Sequence, residues 1–310
     1  MMTMQARPGN VAERRRPVSR FRARINFAVF SAVAAGGGWL FAALDRATGQ
    51  TVGTGSVTST GGGTNGQGLW IAVPALTALV LHFAGRDGAG SLGLTLRFPD
   101  RARWFGFAVA LSPVTTAVAV TAAVVTGVAA FSPTPAAGAP PFPEAFATTL
   151  GFLLVKNLLE EFIFRGYGTR TAMALGLRGA ITPHLLVGLV WGLWHLPLYT
   201  VWMSQEDFRQ STSLPWAWYL PVFFAGIMAL AVLYGEMRVR TGSIWPGVVL
   251  HTISNALVTP LLLNGHLRFE GHGDVLFGIA PNSLLSILLF GGTGLLLLRH
   301  RTRNGGRRDS

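Results

Sequence analysis

Ala145-Phe-Ala-Thr-Thr-Leu-Gly-Phe-Leu-Leu-Val-Lys156-Asn-Leu-Leu-Glu160-Glu161-Phe-Ile-Phe-Arg165-Gly166 decides the fold, because it sets charges into a run otherwise apolar enough to cross a bilayer. About 20 apolar residues span the hydrocarbon core. Three similar runs precede this one, at 25–44, 69–83 and 104–131, and four follow, at 185–201, 216–234, 244–263 and 275–298. The first is too long for a signal-peptide core and lacks a small-residue cleavage site, so it reads as an uncleaved span. Gly/Thr/Ser-rich and Pro/Gly/Ala-rich loops punctuate the pattern at 49–68 and 132–143. The expectation is an all-α, polytopic membrane helix bundle of eight transmembrane helices.

Composition agrees. Half the chain is hydrophobic and only 12% is charged, about half the charged fraction of an ordinary soluble domain. The absence of cysteine excludes disulfide frameworks, thiol nucleophiles and Cys-ligated zinc. Net charge is +12, but the arginines lie between apolar runs instead of on one polar face, so no nucleic-acid partner is implied.

Their placement sets topology. With both termini inside, every arginine except Arg46, Arg209 and Arg268 falls on the cytoplasmic side, and Lys156 lies within a span. That asymmetry is the positive-inside rule. It divides the chain into a basic cytoplasmic arm at 1–24, an eight-span membrane domain at 25–298 and a basic tail at 299–310. Anionic lipid accounts for the excess charge. A cell membrane, multi-pass, is the expected location.

Chemistry is then sought among polar groups inside spans, where each ionisable residue costs about 2.5–3.5 kcal/mol to insert. In the quoted run, Glu160 and Glu161 are about 100° apart on a helix and serve different partners. Glu161 and Arg165 are spaced i,i+4, as are Lys156 and Glu160. One reading pairs Glu161 with Arg165 and leaves Glu160 facing a cavity. Trp191-Gly-Leu-Trp194-His195-Leu-Pro197 puts an imidazole deep in the fifth run, next to a proline that frees a backbone carbonyl. His251-Thr-Ile-Ser254-Asn255 stacks an imidazole and an amide on one face of the seventh. His82, His184, His266, His272 and His300 read as interfacial and receive no role.

One carboxylate, two imidazoles and an amide on three spans suffice for amide hydrolysis. A carboxylate and an imidazole activate water, and N–H donors hold an oxyanion. The same set could supply a two-His, one-Glu zinc site.

At these residues the chain resembles the CAAX protease and bacteriocin-processing (CPBP, or Abi) family of intramembrane proteases. Glu160-Glu161-Phe-Ile-Phe-Arg165-Gly166 matches its EExxxR motif with the FRG ending, Trp191 to His195 its FxxxH motif with Trp in place of Phe, and His251 to Asn255 its HxxxN motif. The likeness covers about 145–260, and the protease core is expected at 145–263. It implies that Glu160, with His195, activates the attacking water, that His251 and Asn255 hold the oxyanion, and that Glu161 and Arg165 support them. It leaves open whether Glu160, His195 and His251 hold zinc or the reaction is metal-free. No HExxH is present, which excludes a zincin site. No other cofactor is implied.

The resemblance implies a membrane-associated peptide or protein substrate, lipidated or not, entering from lipid or from the cytoplasmic side. The Arg-rich, Lys-poor composition hints at a high-GC bacterial plasma membrane, where prenylated CAAX proteins are not expected. A serine intramembrane protease fails, since Gly53-Thr-Gly55-Ser56 lies in a polar loop. A transporter lacks repeated interrupted halves. A catalytically silent scaffold or bacteriocin-immunity protein retaining the fold is the remaining alternative.

Overall fold

A computed structural model describes residues 18–50 and 63–306. Arg7, Arg14, Arg15, Arg16, Arg307, Arg308 and the Gly53–Ser56 loop, all used above, lie outside the described residues, as do most of the basic arm and the end of the tail.

The long helices are α1 (Arg20–Ala47), α2 (Asn65–Ala84), α3 (Phe98–Val125), α4 (Phe142–Glu161), α6 (Thr182–Pro197), α8 (Trp216–Thr241), α9 (Trp245–Val258) and α11 (Leu284–Gly306). Short helices α5 (Arg170–Ala174), α7 (Gln205–Ser211) and α10 (Gly273–Phe277) lie between them. Among the described residues, seven segments are long and apolar enough to cross a membrane. The remaining long helix is α4, equal in length to α2 but diluted by Lys156, Glu160 and Glu161. The chain is a multi-pass helical membrane protein.

Local chemistry sets the helix ends. Thr64 and Gln67 form a reciprocal capping box at the start of α2. Gly242, at φ +66°, closes α8 in the left-handed conformation that glycine adopts without strain. The expected eighth run is broken: α10 stops at Phe277, and α11 begins only at Leu284. Ser286 Oγ donates to the Gly278 carbonyl at 2.8 Å, and the Pro281 carbonyl packs on Gly226 of α8 where a Cβ would collide. The end of the expected third run is also not helical. Ala129–Phe131 (β1) pairs antiparallel with Leu267–Phe269 (β2), in register Ala130↔Arg268.

Three helices continue into π-helical turns: α4 through Phe162–Thr169, α6 through Leu198–Trp202 and α9 through Thr259–Leu263. The first takes in the Arg165 end of its motif, and the other two begin within about one turn after His195 and Asn255. Such turns, rare elsewhere, concentrate at functional sites.

Two layers of contacts fix the helix ends. At the basic end, Arg170 Nη2 meets Asp87 Oδ1 at 2.7 Å, Arg238 Nη2 donates to the Ser91 carbonyl at 2.6 Å, and Arg301 Nη2 meets Glu236 at 2.7 Å. At the opposite end, Asp45 accepts from Thr64 Oγ1, from Gly66 N at 2.8 Å and from Trp202 Nε1 at 2.9 Å. Between them, Trp70 and Trp194 stack with centroids 3.9 Å apart, and each indole donates to the other's carbonyl. Large apolar side chains such as Leu76, Val80, Phe83, Leu288 and Leu296 point outward, as lipid-facing positions do.

Candidate active site

The site lies where α4, α6 and α9 converge. Glu160 and Glu161 are both fully buried, and as expected they serve different partners. Lys156 Nζ forms an ion pair with Glu160 Oε1 from one turn back, and Trp191 Nε1 donates to Glu160 Oε2 at 3.4 Å. Glu160 therefore does not face an empty cavity; the 26% exposed Lys156 side chain covers it.

Glu161 Oε1 lies 3.4 Å from Arg165 Nη1, the expected pair, and also 3.0 Å from His251 Nδ1, which the sequence did not suggest. Its other oxygen lies over Gly247, where a Cβ would sit 3.0 Å away. The Arg165 guanidinium lies between two rings, 3.8 Å from the Trp191 centroid and 4.8 Å from that of Tyr234.

His195 Nδ1 donates to the Trp191 carbonyl at 2.8 Å. That bond leaves Nε2 as the ring's free acceptor. Trp194 and Phe223 pack edge-on to the ring, with centroids at 4.7 and 5.9 Å. Glu160, His195 and His251 are close enough to act electrostatically on one another. Asn255 Nδ2 donates to Asn157 Oδ1 at 3.2 Å, and Asn157 was not singled out from sequence. Lys156, His195 and Asn255 are half-buried, while Glu160, Glu161, Arg165 and Asn157 are enclosed.

The sequence leaves open whether Glu160, His195 and His251 hold zinc. Among the described residues, no three His, Asp or Glu side chains form a group that could hold a metal. Lys156 engages one oxygen of Glu160, and Glu161 engages Nδ1 of His251.

Two histidines read as interfacial are interior. His184 is fully buried, with Nε2 2.9 Å from Glu236 Oε1, and Arg301 and Arg240 complete the charge balance around that carboxylate. His266 is buried beside the strand pair and its Nδ1 donates to the Ser132 carbonyl at 2.8 Å. Neither joins the site.

Fold and site together define a polytopic helical membrane protein with an enclosed carboxylate–imidazole–amide cluster. A family model described as type II CAAX prenyl endopeptidase Rce1-like matches residues 142–257, a segment containing all three motifs. Over this segment, less than half of the chain, the protein is similar to the type II CAAX prenyl endopeptidases. No curated protein matches the chain.

Proposed function

We propose that the protein hydrolyses a peptide bond of a membrane-associated peptide with water activated by Glu160. The observation that carries this reading is the enclosed Glu160 carboxylate beside the Trp191 indole, on which the His195 and His251 rings both pack, with centroids 5.6 and 5.8 Å away.

A water molecule held between Glu160 and the free Nε2 of His195 gives its proton to the carboxylate as its oxygen attacks the scissile carbonyl carbon. The carbonyl oxygen becomes an oxyanion. It accepts from Nε2 of His251, whose Nδ1 is held by Glu161, and from an Nδ2–H of Asn255. Preorganised donors of this kind, shielded from bulk water, contribute strongly to the barrier drop. As the tetrahedral intermediate collapses, the carbon–nitrogen bond breaks and Glu160 returns the proton to the leaving amine. Arg165 balances the second carboxylate throughout. The basic end faces the cytoplasm in this reading, so the substrate arrives from that side or laterally from lipid.

The matched description names a prenyl endopeptidase, which makes a farnesylated peptide with a C-terminal CAAX sequence the first probe. The purified chain in detergent is assayed with that peptide, internally quenched, and with its unfarnesylated counterpart. Cleavage of either is expected, with none by Glu160→Gln and no loss on adding a chelator. Equal rates for Glu160→Gln and the wild type would sink the mechanism.

A further inference from the structure

Asn157 lies outside the motifs yet is fully buried and polar, and the chemistry above does not account for it. It lies three and four residues before Glu160 and Glu161, so its side chain projects between theirs, one turn back on α4. Its Oδ1 accepts from Asn255 Nδ2 at 3.2 Å, across the α4–α9 interface. Its own Nδ2 has no hydrogen-bond partner among the described residues. A buried amide with half its capacity unmet is unfavourable, and leucine has the same branched heavy-atom skeleton without that penalty. Packing therefore does not explain an asparagine here.

We propose that Asn157 is a positioning residue for the oxyanion donor. The amide of Asn255 has two N–H groups. Asn157 takes one of them, which fixes the rotation of the amide about its last bond. The second N–H is thereby aimed at one direction instead of sweeping the cleft. His251 is positioned in the same manner, its Nδ1 engaged by Glu161. Both expected oxyanion donors on α9 are thus set by side chains of α4, the helix that also carries Glu160. Nucleophile and oxyanion site move as one unit. The alternative, a plain interhelical hydrogen bond, would support the helix pair but would not bear on the chemical step.

This inference rests on the peptidase reading, and a double-mutant cycle separates the two. Asn157→Leu, Asn255→Leu and the double variant are made in the full chain and assayed with the farnesylated quenched peptide, beside wild type and Glu160→Gln. Removing an oxyanion donor costs about 10²–10³-fold in kcat. Asn255→Leu should fall in that range. Asn157→Leu should lose about tenfold in kcat with KM within about twofold, and the double variant should be no slower than Asn255→Leu alone. Multiplying losses in the double variant, or a loss confined to KM, would overturn the proposal. So would an Asn157→Leu variant as fast as wild type while Glu160→Gln is dead, with the peptidase reading left standing. A wild type inactive on every peptide removes the reading itself, and this proposal with it. Where Asn157→Leu does not accumulate as folded protein, Asn157→Ser replaces it in the same cycle.

Discussion

Arg165 carries its charge inside the bundle with almost no exposure, and its setting explains why arginine stands there. The planar guanidinium lies against two aromatic faces while its edge meets Glu161. Lysine would keep the charge but lose the flat stacking surface. Desolvated cation–π contacts are worth about 2 kcal/mol, so Arg165→Lys should destabilise the fold by roughly that much. Arg165→Met leaves the Glu161 carboxylate short of a partner and should cost about 3–5 kcal/mol. Thermal unfolding in detergent, followed by tryptophan fluorescence, measures both; an unchanged midpoint for Arg165→Met would refute the pairing. Residue spacing makes some of this site readable in advance. Lys156 with Glu160 and Glu161 with Arg165 are one helical turn apart, so the helix itself announces them. The Glu161–His251 and Asn157–Asn255 pairs join residues separated by 90 and 98 positions. No local period encodes such a contact, because it depends on how α4 and α9 pack. His184 and Glu236 are hidden for the same reason.

Among the elements, the connection between α2 and α3 is irregular backbone that lies directly against the site-bearing helices. Its carbonyls are met in turn: Gly90 by Arg170 Nε at 2.7 Å, Ser91 by Arg238, Gly93 by Ile244 N at 2.9 Å, and Leu94 by Trp245 Nε1 at 2.7 Å. Asp87 anchors it, accepting from Arg170 and from Asn26 Nδ2 at 3.1 Å. Arg170→Gln removes the cation and leaves a buried carboxylate uncompensated, which should cost about 3–5 kcal/mol. Limited proteolysis should then cut within 85–97 in the variant faster than in the wild type; equal cleavage rates would show that the anchor is dispensable. Close packing of α6 on α8 gives a second prediction. A Cβ on Gly235 would collide with Nδ1 of His184, a ring that Glu236 holds in place. Gly235→Ala should therefore lower stability by about 1–3 kcal/mol, and an unaltered melting midpoint would mean that the ring swings aside. The apolar runs find the spans, since hydropathy and helix length are local properties, although the eighth run begins well before α11. The β1–β2 pairing, the break at Gly278–Ser283 and the π turns arise from tertiary contacts and are not visible in those runs.

At the scale of the whole molecule, the contacts gather the described arginines at one end. The α2–α3 connection, the π turn after α4, the end of α8 and the end of α11 meet there through Arg170, Arg238, Arg240 and Arg301. Arg46, Arg209 and Arg268 lie at the other end, with the Asp45 anchor, α7 and the strand pair. Such segregation is what the positive-inside rule requires of a chain with an even number of crossings. It predicts a cytoplasmic basic end. The chain has no cysteine, so single introduced cysteines report orientation without background. Arg178, in the exposed turn after α5, and Ala137, in the exposed loop between β1 and α4, sit at opposite ends. Membrane-impermeant maleimide applied to intact cells should label Ala137→Cys and spare Arg178→Cys until the membrane is opened. The reverse pattern would invert the molecule. Labelling of both in intact cells would break the alternation of eight crossings and separate Lys156, His195 and Asn255 from the membrane setting that makes their burial meaningful.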